Sequence, residues 1–255
     1  MFYNGVVMNI VFDKEPQFLG KLHITMLLIL LLANILMYKY LKNRNESFLL
    51  NFLFYTGLLM IITEIYKQWF CHVYVFNREI NLWYFPWQLC SMPMYLSLIV
   101  KFLDKKKQNV VLVFLASISL FATIMALLFP HGMLHREVFL FIHSFVYHGL
   151  IITQSIVSLL ILRNRNNYGY RYSVYLFIFL ALVAEIINVV SHMVLNDISI
   201  EPNMFYISPY IATNQFFLRD IAYRYGILTE TIVYLIGIVM ISYGLYLLEK
   251  KIIKK

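Results

Sequence analysis

This chain predicts an all-α, polytopic membrane protein: a seven-helix transmembrane bundle with its N-terminus outside and its C-terminus in the cytoplasm. Three observations carry that expectation. Hydrophobic residues fill 61% of the 255 positions and charged residues only 13%, which excludes a soluble domain built around one core. Seven apolar stretches each approach the ~20 residues that a helix needs to span a bilayer. Basic residues gather in alternate connections, the pattern that sets orientation.

The first 21 residues mix apolar side chains with Asn4, Asp13, Lys14, Glu15 and Pro16 and read as an interfacial arm. The charges follow the early apolar run and no small-residue cleavage site follows the next one, so the arm does not read as a signal peptide. Residues 22–250 form one transmembrane domain, with spans at 22–41, 48–70, 83–103, 110–129, 138–162, 172–195 and 227–248 and a basic tail at 251–255. Lys39, Lys42 and Arg44 follow the first span; Lys101, Lys105, Lys106 and Lys107 follow the third; Arg163, Arg165 and Arg171 follow the fifth; Lys250, Lys251, Lys254 and Lys255 follow the last. The opposite side has fewer basic residues over longer connections, so the rich side is cytoplasmic. The net charge of +8 is thereby split among four loops, which argues against a nucleic-acid surface and for a multi-pass protein of the plasma membrane. Two cysteines, Cys71 and Cys90, make neither a disulfide framework nor a cysteine-based metal site, and both are expected to be free thiols.

The third span opens with unusual chemistry. Trp83, Tyr84, Phe85 and Trp87 form a cluster of rings suited to a membrane–water boundary, and Pro86 suits the first turn of a helix. Cys90 then falls about one turn inside, where unpaired N–H groups and the helix dipole favour a thiolate. Pro93 cannot donate to the Leu89 carbonyl, which predicts a freed acceptor and a kink beside the thiol. A buried structural thiol is the competing reading.

The remaining polar residues of the spans concentrate towards the outer half. Span two holds Glu64, Lys67 and Gln68, span three Gln88 and Cys90, span five His143, His148 and Gln154, span six Glu185, Asn188 and His192, and span seven Glu230. At a rise of 1.5 Å per residue, Cys90 lies ~10 Å below the outer surface, and His148 and Glu185 ~15 Å. Charges facing lipid are expensive, so these groups should share a polar cavity open to the outside. Glu64 and Lys67 suit an ion pair one turn apart as well as a site. Glu185, Asn188 and His192 make one polar stripe, either part of a site or interhelical glue. Glu230, close to the surface, is expected to be solvated or snorkelling. His131 and His135, around the Pro130-His131-Gly132 turn, read as surface histidines. Zinc held by His148, His192 and Glu185 ranks below Cys–His chemistry, because no His-x-x-x-His lies within a span; no metal and no cofactor is expected.

The last outer connection, 196–226, is long and rich in aromatic residues, among them Phe205, Tyr206, Tyr210, Phe216 and Phe217. It carries Pro202 and Pro209 and is a poor span, so it reads as an external lid, a re-entrant loop or an interfacial belt.

Leu89-Cys90-Ser91 after a proline-and-aromatic entrance and His148-Gly149-Leu150-Ile151-Ile152 after an aromatic stretch resemble the YwaF-type bacterial integral membrane proteins, whose relatives include a vertebrate transmembrane phospholipid acyltransferase. Ala126-Leu127-Leu128-Phe129-Pro130, Ile186-Ile187-Asn188 and Asn203-Met204-Phe205 are looser matches. The resemblance implies that Cys90 is an acyl-carrying nucleophile and His148 its partner. Family members commonly carry histidine two residues before the cysteine, where this chain has Gln88. The expected function is therefore a membrane-embedded lipid acyltransferase or lipid hydrolase, with phospholipid and lysolipid acyl chains as partners. Glu185 or Asn188 would orient His148, Gln88 or Ser91 would hold the oxyanion, and His192 and Glu64 would support the cavity. The alternative is a non-enzymatic transporter or lipid-binding membrane protein that uses Glu64, Lys67, Glu185 and Glu230 as ligand or proton sites.

Overall fold

The computed structural model describes residues 10–253 except 80, 131, 167, 196, 198, 199, 214, 216 and 217. The first nine residues of the arm, His131, Phe216 and Phe217 of the long outer connection, and Lys254 and Lys255 of the tail therefore lie outside the described residues. The described chain is helical, with an isolated bridge between Val11 and Glu137 as its only β pairing.

The helices are α1 (Lys21–Leu41), α2 (Glu46–Phe70), α3 (Met92–Ile99), α4 (Lys105–Val113), α5 (Leu120–Leu128), α6 (Val138–Leu162), α7 (Tyr170–Leu195), α8 (Leu218–Tyr225) and α9 (Ile227–Ile253). A π turn, Phe114–Ser119, joins α4 to α5 without a break, and another, Cys71–Val75, extends α2. Six helical stretches among the described residues are long and apolar enough to cross a membrane: Lys21–Leu41, Glu46–Val75, Lys105–Leu128, Val138–Leu162, Tyr170–Leu195 and Ile227–Lys251. Their outward faces are apolar, as lipid requires: Leu28, Leu31, Leu182, Met193, Leu228 and Met240 are all well exposed.

The expected third span, 83–103, is shorter than predicted. Helix begins at Leu89 with a 3₁₀ turn, Leu89–Ser91, and the apolar helical stretch is Leu89–Phe102. Trp83 to Gln88 is irregular chain. Pro86 therefore precedes the helix, and it is Pro93 that occupies the first turn of α3. A proline there lacks only an N–H that would be unpaired anyway, so it needs no kink. Nor is the Leu89 carbonyl freed, because the Met92 N–H donates to it.

This short segment runs antiparallel to α2 along most of its length. Lys101 sits 3.7 Å above the Phe54 ring, a Cβ on Gly57 would meet the Met94 carbonyl and the Ser97 Cβ at 3.0 Å, and Gln68 Nε2 donates to the Tyr84 carbonyl at 2.5 Å. The missing Cβ at Gly57 is what lets the two backbones touch, the small-residue rule of membrane helix packing. Polar groups tie α6 to both: Gln154 Nε2 donates to Thr56 Oγ1 at 3.2 Å, and the Tyr147 hydroxyl reaches Met94 Sδ at 3.5 Å.

The basic connections gather at one end of the bundle. Arg165, after α6, donates to Glu46 Oε1 at 2.6 Å, to Gln108 Oε1 at 2.6 Å and to Asn109 Oδ1 at 2.7 Å, joining the starts of α2 and α4. The start of α7 meets α4 and the middle of α9, where Ser173 Oγ donates to the Val110 carbonyl and the Tyr170 hydroxyl to the Val239 carbonyl. At the other end the arm pairs with the strap before α6, Phe12 N donating to the Arg136 carbonyl at 2.9 Å and Val138 N to the Ile10 carbonyl at 3.0 Å. His23, 1% exposed, accepts the Leu19 N–H on Nδ1 and so donates from Nε2 to the Leu127 carbonyl, which binds α1 to α5.

Candidate functional site

Where α2, the start of α3 and α6 meet at the end opposite the basic loops, the polar residues of three elements converge. Cys90 is half-buried and packs with Tyr95 and Leu150 against Met60, Met94, Tyr147 and Ile151. Ser91, next in the chain, is buried, and the Tyr147 hydroxyl reaches Met94 Sδ one turn along α3. Both cysteines are free; Cys71 is buried in the π turn after α2.

His148, 7% exposed, follows Tyr147 on α6. Its Nδ1 lies 2.7 Å from the Ser144 carbonyl, one turn earlier. A carbonyl only accepts, so Nδ1 carries the proton and Nε2 keeps its lone pair. The group that orients His148 is therefore its own helix, not Glu185 or Asn188. No hydrogen bond joins Cys90 to His148 among the described residues; what links them is Tyr147, which precedes His148 in the chain, meets its ring edge-on and belongs to the cluster against which Cys90 packs. His143 stacks on Tyr147 from one turn away, with its Nε2 buried and unpartnered.

Glu64, 5% exposed, anchors the wall formed by α2. Lys67 Nζ and Gln68 Nε2 each approach Glu64 Oε1 at 2.7 Å, and Gln68 also holds the Tyr84 carbonyl. The expected Glu64–Lys67 ion pair is present. Lys67 lies 5.8 Å above the Tyr84 ring, which in turn meets His135 at 5.9 Å. Burial pushes the Tyr84 phenol up to about 12 and holds His135 below the ordinary histidine range, so both are neutral at pH 7. His135 is thus half-buried at the rim rather than a surface histidine.

Residues 200–211 cover this cluster from the other side. Met204 and Phe205 are fully buried in the main core with Leu89, Met92, Phe177 and Ala184. Phe205 and Tyr206 adopt left-handed backbone (φ 56° and 57°), a strained conformation for bulky residues that surrounding contacts must hold. Two side-chain amides do so. Gln88 donates to the Asn203 carbonyl at 2.8 Å and accepts the Phe205 N–H at 2.9 Å; Asn188 donates to the Met204 carbonyl at 3.1 Å and accepts the Met204 N–H at 2.7 Å. Asn203 closes the turn on itself, accepting the Ser208 N–H and donating to the Ile211 carbonyl. Gln88 and Asn188 are thus committed to the backbone of the covering loop.

The stripe on α7 divides accordingly. His192 pairs with Glu201, Nδ1 to Oε2 2.9 Å, and stacks on Tyr210 with ring centroids 3.6 Å apart. Glu185 is half-buried with Oε2 unpartnered. Glu230 corrects its expectation most plainly: it is 0% exposed and neither carboxyl oxygen has a partner. Sequence reasoning missed Glu201 and gave Asn203 no role beyond a loose family match. The available signal was an acidic residue before Pro202 in a loop facing a histidine of α7.

The arrangement offers a thiol, an imidazole with a free lone pair, and the Tyr147 side chain that neighbours both, beneath a loop locked by amides. No cluster of three or more His, Cys, Asp or Glu with metal-holding geometry occurs among the described residues. No curated protein and no solved structure matches the chain. The model of the TMEM164 family matches residues 18–242, which include Cys90, His148, the covering loop and all but the end of α9. With six apolar helices of spanning length and that match over most of its length, the chain is a multi-pass membrane protein and belongs to the TMEM164 family.

Proposed function

We propose that the protein is a plasma-membrane lipid acyltransferase or lipid hydrolase whose nucleophile is Cys90 and whose base is His148. The observation that carries this reading is that a thiol at the opening of α3 and an imidazole on α6 both neighbour Tyr147, the imidazole with its Nδ1–H held by the Ser144 carbonyl, leaving Nε2 as a proton acceptor. The resemblance of Leu89-Cys90-Ser91 and His148-Gly149-Leu150 to the YwaF-type proteins and their acyltransferase relative supports the same pair. In the reaction His148 Nε2 takes the thiol proton and the sulfur attacks an ester carbonyl of a phospholipid. The lysolipid oxygen leaves with a proton, and the thioester passes its acyl group to a lysolipid hydroxyl or to water. Ser91 and Tyr147 would supply hydroxyls to the oxyanion.

The chamber faces the outer leaflet in this reading, and the chain crosses the membrane seven times. The run of Leu89–Phe102 alongside α2, from Gln68 at one end to Asn51 at the other, supports a third crossing completed by irregular chain. The collection of the basic connections at one end supports an outer N-terminus and a cytoplasmic C-terminus. The 200–211 segment then acts as a re-entrant lid that shields the thioester from water.

The test is transfer of a labelled acyl chain from phospholipid to lysolipid in proteoliposomes. Cys90→Ala is expected to abolish transfer and Cys71→Ala to leave it intact. Unchanged lipid turnover in Cys90→Ala would instead favour a binding or transport protein.

A further inference from the structure

Glu230 is the buried ionisable group that the Cys90–His148 chemistry leaves unused. It lies in the first turn of α9, fully buried, with both carboxyl oxygens unpartnered and no ion pair to any described residue. An intramembrane acid without a structural partner points to function. Tyr234, one turn further along α9, shares its face. Tyr234 packs against the core that holds Leu89, Met92 and Phe205, the chain neighbours of the Cys90 turn and of Tyr206. Glu230 and Tyr234 therefore face that core from α9, whereas His148 comes from α6.

We propose that Glu230 is a second proton carrier of the chamber, serving the oxygen side of acyl transfer through the Tyr234 hydroxyl while His148 serves the sulfur. This rests on the Cys90 reading above. In the first half-reaction the Cys90 proton goes to His148 Nε2, the sulfur–carbonyl bond forms, and the ester carbon–oxygen bond breaks. The leaving oxygen takes a proton from Tyr234, which is refilled from Glu230, leaving a carboxylate. In the second half-reaction the acceptor hydroxyl returns a proton to Glu230 by the same route and its oxygen attacks the thioester. The sulfur leaves and recovers its proton from His148. Tyr234 touches the leaving oxygen in this scheme, and Glu230 is a positioning residue that acts through its phenol.

The experiment follows acylation of Cys90 in proteoliposomes from two donors: a p-nitrophenyl acyl ester, whose phenolate leaves without a proton, and a phospholipid, whose alkoxide does not. Glu230→Gln and Tyr234→Phe are expected to retain labelling from the activated ester and to lose about 10²-fold or more from phospholipid. Equal loss with both donors would make Glu230 merely structural and overturn the relay, as would no loss with either. Wild-type protein labelled by neither donor would remove the Cys90 reading itself and the relay with it, an outcome distinct from any behaviour of the variants.

Discussion

Replacing His148 with alanine is expected to slow acylation of Cys90 by about 10²–10⁴-fold, the usual contribution of a positioned general base. Sulfur is a better nucleophile as thiolate than as thiol, and Cys90 packs among Met60, Met94, Tyr147 and Ile151, surroundings that do little to ionise it unaided. His148 is the imidazole next in sequence to its neighbour Tyr147, and its free nitrogen is Nε2. His143→Ala should cost much less, because that ring stacks on Tyr147 one turn before it and is not the base of the proposed reaction. Single-turnover acylation rates in the two variants check both expectations. Comparable loss in each would mean that Tyr147 packing, not proton transfer, is what the histidines supply.

Arg165→Ala is expected to be the most damaging change to the fold, at about 3 kcal/mol, measured by reversible denaturation in mixed micelles. Removing one partner of a buried ion pair costs roughly 3–5 kcal/mol. The low end applies here because the Glu46 side chain keeps 34% of its surface exposed, whereas that of Arg165 keeps 7%. The guanidinium also donates to Gln108 and Asn109, so its loss unties the starts of α2 and α4 together. Arg165→Lys keeps the charge but loses the planar fork, and should recover only part of the stability.

Much of the bundle was legible in the sequence because hydropathy and helical length report on lipid exposure. Six of the expected spans correspond to helices of spanning length, and α6 runs over Val138–Leu162, the predicted bounds. The third was mistaken at its start because hydropathy cannot tell buried irregular chain from helix: Trp83, Tyr84 and Phe85 are as apolar in one as in the other. The Glu64–Lys67 pair was legible because i, i+3 spacing is a local property. Glu230 was misread for the opposite reason. Its depth along α9 follows from the sequence, but what covers it depends on how other elements fold over the end of that helix. The same holds for the amide clamps. Gln88 finds Phe205 across 117 positions, and nothing in either stretch announces it. A polar residue inside a span signals a partner; it does not say whether that partner is a substrate or the backbone of a loop.

The central claim is that Cys90 carries the acyl group, and the most direct measurement is the mass of the Cys90 peptide after purified protein meets phospholipid. The account predicts a hydroxylamine-sensitive acyl adduct on Cys90, present in Cys71→Ala and sharply reduced in His148→Ala. A Cys90 peptide of unmodified mass while the protein turns lipid over would contradict it.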